Sequence, residues 1–175
     1  MTKSNPIQSN EQIYISSHQD DPIRQGEILS ALIQSRLNID SIGSPEPVID
    51  YITHPYAIVI SQDCDLDWDH KARQGNAEEH KLIPNIMFCE VSTAEALRGR
   101  GYQAGINTKT WDDIQSNKNE RYHFLQAVTL NQDALGEGLP ELGIDFKRYF
   151  SIPTVEVYLR LNSNEIKRRC CLVSP

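Results

Sequence analysis

Four aspartates at every second position, Asp63, Asp65, Asp67 and Asp69, follow closely on the apolar run YAIVI of residues 56–60. Cys64 lies among them and His70 closes the series. In an extended chain alternate side chains point the same way. Four carboxylates on one side repel one another unless a cation or basic groups neutralise them. That chemistry suits a hard divalent ion with oxygen ligands, Mg²⁺, Mn²⁺ or Ca²⁺. Asp63, Asp65 and Asp67, with His70 and His80, are the candidate metal ligands, and Cys64 and Asp69 are candidates for contact with a protein partner.

Other chemistries for this stretch meet spacing or charge objections. A calcium loop of the EF-hand type starting at Asp63 would place Trp68 at the turn glycine and Gln74 at the closing glutamate. Zinc could draw on Cys64, His70, His80 and Cys89, but their spacings match no standard zinc signature. The structural alternative makes Cys64 and Cys89 small buried hydrophobes. A thiolate at Cys64 is disfavoured by its flanking carboxylates, which raise a thiol pKa. The strand followed by Asp63-Cys64-Asp65 resembles the haloacid dehalogenase nucleophile motif, but Leu66-Asp67 departs from that family's pattern.

A second constellation lies in RYHF, residues 121–124. Strand alternation puts Arg121 and His123 on one face, where they are candidate acid/base or phosphate-binding groups. Trp68 and Trp111 are expected to tuck under as caps of the core. Duplex nucleic-acid binders usually carry a basic face. Here the net charge is −7, and only Lys167-Arg168-Arg169 with Lys147-Arg148 is locally basic. A protein partner or a cation is therefore favoured over nucleic acid, and a homodimer is a further option.

The 175 residues suffice for one domain with a real core. The expected organisation is a disordered tail over 1–10 and a single β-rich domain over 11–175. No apolar run approaches the roughly 20 residues of a membrane helix, and the N-terminal stretch lacks the apolar centre of a signal peptide. These features, with four cysteines that form no framework, predict a cytoplasmic protein.

The elements that must position these residues read mainly as strands: 12–16, 25–29, 48–53, 56–61, 86–91, 121–128, 143–152, 154–161 and 166–173. Val155, Val157, Leu159 and Leu161 alternate against polar neighbours, which predicts a strand after Pro153. His54-Pro55 is expected to break a hairpin between 48–53 and 56–61. Residues 65–82 read as a charged loop with a helical turn or two. Helices are predicted after Ser92, which has capping-box spacing to Glu95, and over 110–116. Too few crossover helices exist for a parallel sheet. The predicted fold is mainly β, a small antiparallel, partly closed barrel with short helical insertions.

Gly26-Glu27-Ile28, Val59-Ile60-Ser61 and the late GIDFKRYFSIP resemble, in that order, the layout of the PemK/MazF toxin barrel. That resemblance implies an SH3-like barrel, an RNA-cleaving or gyrase-directed activity, and dimerisation. The series QGEI, SQDCDL and LVSP also resembles a bacterial family, which implies no activity. Three functions follow as expectations. The first is a non-enzymatic binding or regulatory module, in a toxin–antitoxin or phage-defence setting, using residues 63–70. The second is a metal-dependent hydrolase or nuclease with Asp63 and Asp65 as ligands. The third is a PemK-like endoribonuclease using Arg121 and His123.

Overall fold

A computed structural model describes residues 13–75, 78–103 and 106–173, with backbone alone for 100–103. The expected tail over 1–10 lies outside the described residues, as do Asn76 and the terminal Ser174-Pro175. Among the described residues seven strands form one antiparallel sheet: β1 (Tyr14–Ser16), β2 (Glu27–Leu37), β3 (Ile49–Val59), β4 (Asn85–Thr93), β5 (Tyr122–Leu125), β6 (Leu142–Pro153) and β7 (Lys167–Leu172). Their order is β1-β7-β2-β3-β4-β6-β5. The mainly β, antiparallel prediction holds. The barrel does not close, because the hydrogen-bonded order has two free ends, β1 and β5.

Among the described residues four α-helices accompany the sheet: α1 (Asp63–Gln74), α2 (Ala94–Gln103), α3 (Thr108–Gln115) and α4 (Thr154–Asn162). Two of them correct the sequence reading. The aspartate series forms α1 instead of an extended or looped segment. Asp63 and Asp65 occupy its first turn and Lys71 and Arg73 its last, which suits the helix dipole at both ends. Asp67–Lys71 and Asp69–Arg73 are ion pairs one turn apart. Residues 154–161, expected as a strand, form α4. Thr154, Val157 and Leu161 are its buried stripe, and Glu156–Arg160 pairs on its flank.

The sheet has a core on each face. Leu29, Val59, Phe88 and Ile152 meet Leu66 of α1 and Val157 and Leu161 of α4. On the other face Ile28, Ile58, Cys89 and Ile144 meet Tyr14, Val128 and Leu139. Trp111 and Ile114 of α3 pack with Leu97 and Tyr122 in a third cluster. Trp111 is a core cap as expected, whereas Trp68 is exposed.

β3 is one eleven-residue strand, not the hairpin expected around His54-Pro55. Its β4 neighbour covers only Tyr56–Val59, so Pro55 sits where no central ladder needs its missing N–H. Opposite it, Ala31 takes φ 58°, an irregularity in the β2–β3 ladder. A second irregularity lies between β2 and β7. Ile28 pairs with Cys170 and Leu29 with Arg168, so Arg169 is an extra residue on β7. Arg168 and Arg169 consequently reach different carboxylates: Arg168 meets Glu27, and Arg169 meets Asp133.

Candidate functional site

The helical form of residues 63–74 disperses the aspartates. Asp63 accepts from Arg24 Nη1 at 3.1 Å and from the Gln25 amide at 3.0 Å. Asp67 is tied to Lys71, and Asp69 is fully buried against Arg73 and the Ile83 amide. Cys64 is exposed, 3.8 Å from Asp65 Oδ1, while Cys89 is buried in the sheet. His80 is exposed in a short turn beside Glu78. Among the described residues no three His, Cys, Asp or Glu side chains gather as a metal-binding group. Asp63, Asp65, Asp67, His70 and His80 thus stand apart, each in its local setting.

Arg121 gives Nε and Nη2 to Asp145 at 2.9 and 2.7 Å and lies 4.7 Å over the Tyr122 ring. His123 is half-buried, edge-on to Phe146, and burial pushes its pKa down. Nearby, Arg148 binds both oxygens of Glu90 at 3.0 Å, and His54 Nδ1 lies 4.0 Å from the same carboxylate. His54 stacks on Phe150 at 4.0 Å. Burial lowers its pKa; Glu90 opposes this shift and Arg148 adds to it.

The unfolded histidine protonates near pH 6.5, where the folded one still resists. The unfolded state then binds more protons, so stability falls as pH drops below about 6.5 and levels off under the folded pKa. His54→Phe is expected to reduce the slope of urea-melt stability between about pH 7 and 5, and His123, whose pKa burial also lowers, keeps its own share. An unchanged slope would show that His54 does not carry the effect.

One residue of the aspartate segment does reach a cleft. His70 lines it together with Arg73 and Gln74 of α1, Gln19, Asp20, Asp21 and Ile23 of the loop before β2, Val155, Tyr158 and Leu159 of α4, and Arg168 of β7. The cleft measures about 430 Å³. Its floor is fixed by Arg168, which is 5% exposed. Nε and Nη2 bind Glu27 at 2.6 and 2.8 Å, and the remaining N–H groups go to the carbonyls of Gln19, Asp21 and Pro22. All five donors of the guanidinium are used, so Arg168 shapes the loop and has none left for a ligand.

Arg73 is different. Nε and Nη2 are held by Asp69 at 2.7 and 2.9 Å, and Nη1 has no hydrogen-bond partner among the described residues. Its guanidinium lies 5.6 Å over the Tyr158 ring. Tyr158 Oη is buried and also lacks a partner among the described residues. Burial pushes the phenol pKa up to about 12, Asp69 and Glu27 adding to the shift and Arg73 and Arg168 opposing it. Tyr158 therefore remains a proton donor at neutral pH. Ile23, Val155, Leu159 and Leu161 supply apolar wall, and Asp20 and Asp21 make one rim acidic. Sequence reasoning missed Arg73 and Tyr158, and it noted Arg168 only within the basic run 167–169, whereas Arg168 is buried against Glu27. The available signal for Arg168 was a charge at a strand position between Ile166 and Cys170.

A mainly β protein with a helix-walled cleft at one face of its sheet is the class these features define. No family model matches the chain, and no solved structure matches it. Among curated proteins it is similar to the human pleckstrin homology domain-containing family G member 7, with 28% identity over 102 residues. That match covers 58% of this chain and 14% of the human protein. Among the described residues no helix is long and apolar enough to cross a membrane.

Proposed function

We propose that the protein is a binding module whose cleft between α1 and α4 takes a ligand with an apolar body and a hydrogen-bond acceptor. The observation that carries this is two donors at the cleft with no partner among the described residues, Tyr158 Oη of α4 and Arg73 Nη1 of α1. A buried hydroxyl without a partner costs about 1–3 kcal/mol, and an acceptor on a ligand recovers that energy. The expected role of residues 63–70 changes accordingly: the segment acts through the helix it forms, by His70 and its neighbour Arg73. The partial likeness to a pleckstrin homology domain-containing protein is compatible with a binding role. A cytoplasmic location belongs to the same reading, supported by four free cysteines. The ribonuclease reading relies on Arg121, two of whose nitrogens are committed to Asp145, and is less well supported.

The test is a titration with 3-phenylpropionate and its amide, followed by amide chemical shifts. Perturbations are expected at residues 19–23, 70–74 and 155–162. Tyr158→Phe should weaken binding about tenfold, roughly one charge-assisted hydrogen bond's worth, while raising thermal stability. Shifts located elsewhere, or a Tyr158→Phe protein that binds as well as the parent, would overturn the proposal.

A further inference from the structure

β2 and β3 outrun the sheet. β7 covers β2 only over Glu27–Ser30, and β4 covers β3 only over Tyr56–Val59. Beyond those limits Leu32–Leu37 pairs with Ile49–His54 alone, as a two-stranded ribbon. Leu32 and His54 face inward and are buried. The far end is not. Leu37 faces Ile49 across the ribbon, Tyr51 lies two pairs further in opposite Ser35, and Ile39, Ile42 and Val48 form the tip. These six side chains are 44–68% exposed.

The tip is a built turn. Asn38 Oδ1 accepts from the Asp40 amide at 2.9 Å, and Asn38 Nδ2 donates to Asp50 at 3.1 Å. Ser41 Oγ donates to the Asn38 carbonyl and accepts from the Val48 amide at 2.9 Å. Gly43 takes φ 87°, which suits glycine in the turn. The apolar side chains are thus held outward by a closed set of hydrogen bonds. A contiguous exposed apolar patch on a fixed scaffold marks a contact surface.

Charge and area select the occupant. Asp40, Glu46 and Asp50 are exposed around the patch, and Arg36 is the single Lys or Arg between residues 31 and 55. An acidic collar on a chain of net charge −7 repels both an anionic lipid surface and a second copy. One face of the ribbon is roughly 20 Å by 10 Å. Two such faces stacked fall well short of the ~800 Å² per partner of a stable interface. A groove that receives the tip and both flanks buries more.

We propose that this ribbon is a docking arm for a protein partner that presents an apolar groove rimmed by lysine or arginine. The probe is an amphipathic helical peptide of leucine and lysine, with a leucine and glutamate counterpart, titrated into the full chain by fluorescence anisotropy. The basic peptide should bind and the acidic one should not. Ile39→Ser with Tyr51→Ser, and separately Asp40→Asn with Glu46→Gln, should each weaken binding at least tenfold. All four side chains are exposed, so melting temperatures should hold. The proposal is overturned by no binding, or by binding that survives loss of Ile39 and Tyr51, which would reflect overall charge. It is equally overturned if sedimentation shows a dimer abolished by the same double substitution, or if phosphatidylcholine vesicles capture the protein through these two residues.

Discussion

Arg168→Met is expected to cost about 3–5 kcal/mol of folding stability, measured by urea denaturation. The Glu27 carboxylate is completely buried and keeps only the Arg24 amide once Arg168 is removed. Three backbone carbonyls, of Gln19, Asp21 and Pro22, lose their donor at the same time. The size of the loss comes chiefly from the stranded charge. Glu27→Met added to Arg168→Met should therefore recover a large part of it, because two apolar groups are cheaper to bury than one unpaired carboxylate. The loop 19–22 would remain unpinned in that double variant, so stability should return before cleft binding does. A single-variant loss below about 1 kcal/mol, the value of an exposed pair, would show that Glu27 finds water.

Arg169→Met should cost somewhat less, about 3 kcal/mol, because Asp133 keeps backbone partners. The amides of Leu135, Glu137 and Gly138 all point at its carboxylate. Burial works to raise the Asp133 pKa; hydrogen bonds from Arg169 and from the Glu137 and Leu135 amides outweigh it and hold the group below the usual carboxylate range. In the parent this contribution is present above about pH 4 and is lost as pH falls through the depressed folded value. Without Arg169 the balance shifts toward burial, and the protonated acid becomes the cheaper form to bury. The stability gap between variant and parent should narrow as pH is lowered through about 4. A gap that stays constant would assign the loss to packing of the arginine stem instead of charge.

How far the sequence foretold this arrangement depends on which periodicity dominated each segment. β4 and β6 were legible because apolar runs there have no competing helical pattern, and α3, expected over 110–116, because its polar start suits a helix N-terminus, where Asn107 is the cap. α2 begins one residue later than expected, with Thr93 accepting from the Ala96 amide. α4 satisfied both templates. Val155, Val157, Leu159 and Leu161 alternate as a strand would, while Thr154, Val157 and Leu161 fall on one helical face. The i, i+4 pair of Glu156 and Arg160 was the cue favouring the helix. The aspartate series misled for the same reason. Its period of two drew attention from Asp67–Lys71 and Asp69–Arg73, whose spacing of four is helical.

The candidate cleft was less legible still. Its polar groups come from the loop at 19–23, from α1, from α4 and from β7, so only their tertiary placement joins them. His70 was singled out, yet for metal binding with His80, and the two histidines have separate local partners. Tyr158 lay in a segment read as a strand, where alternation would have turned it to solvent beside Glu156.

The position of β7 has a consequence for synthesis. It is the last of the described strands in chain order, yet it lies between β1 and β2, the first two. Tyr14 pairs with Leu172, and Glu27 must wait for Arg168. A chain leaving the ribosome can close the β2–β3 hairpin early, but β1 has no strand partner, and Glu27 only the Arg24 amide, until β7 has emerged. Contacts of such sequence separation slow folding. During that interval the open β2 edge is exposed, which makes the growing chain a natural client for whatever shields nascent strands from aggregation.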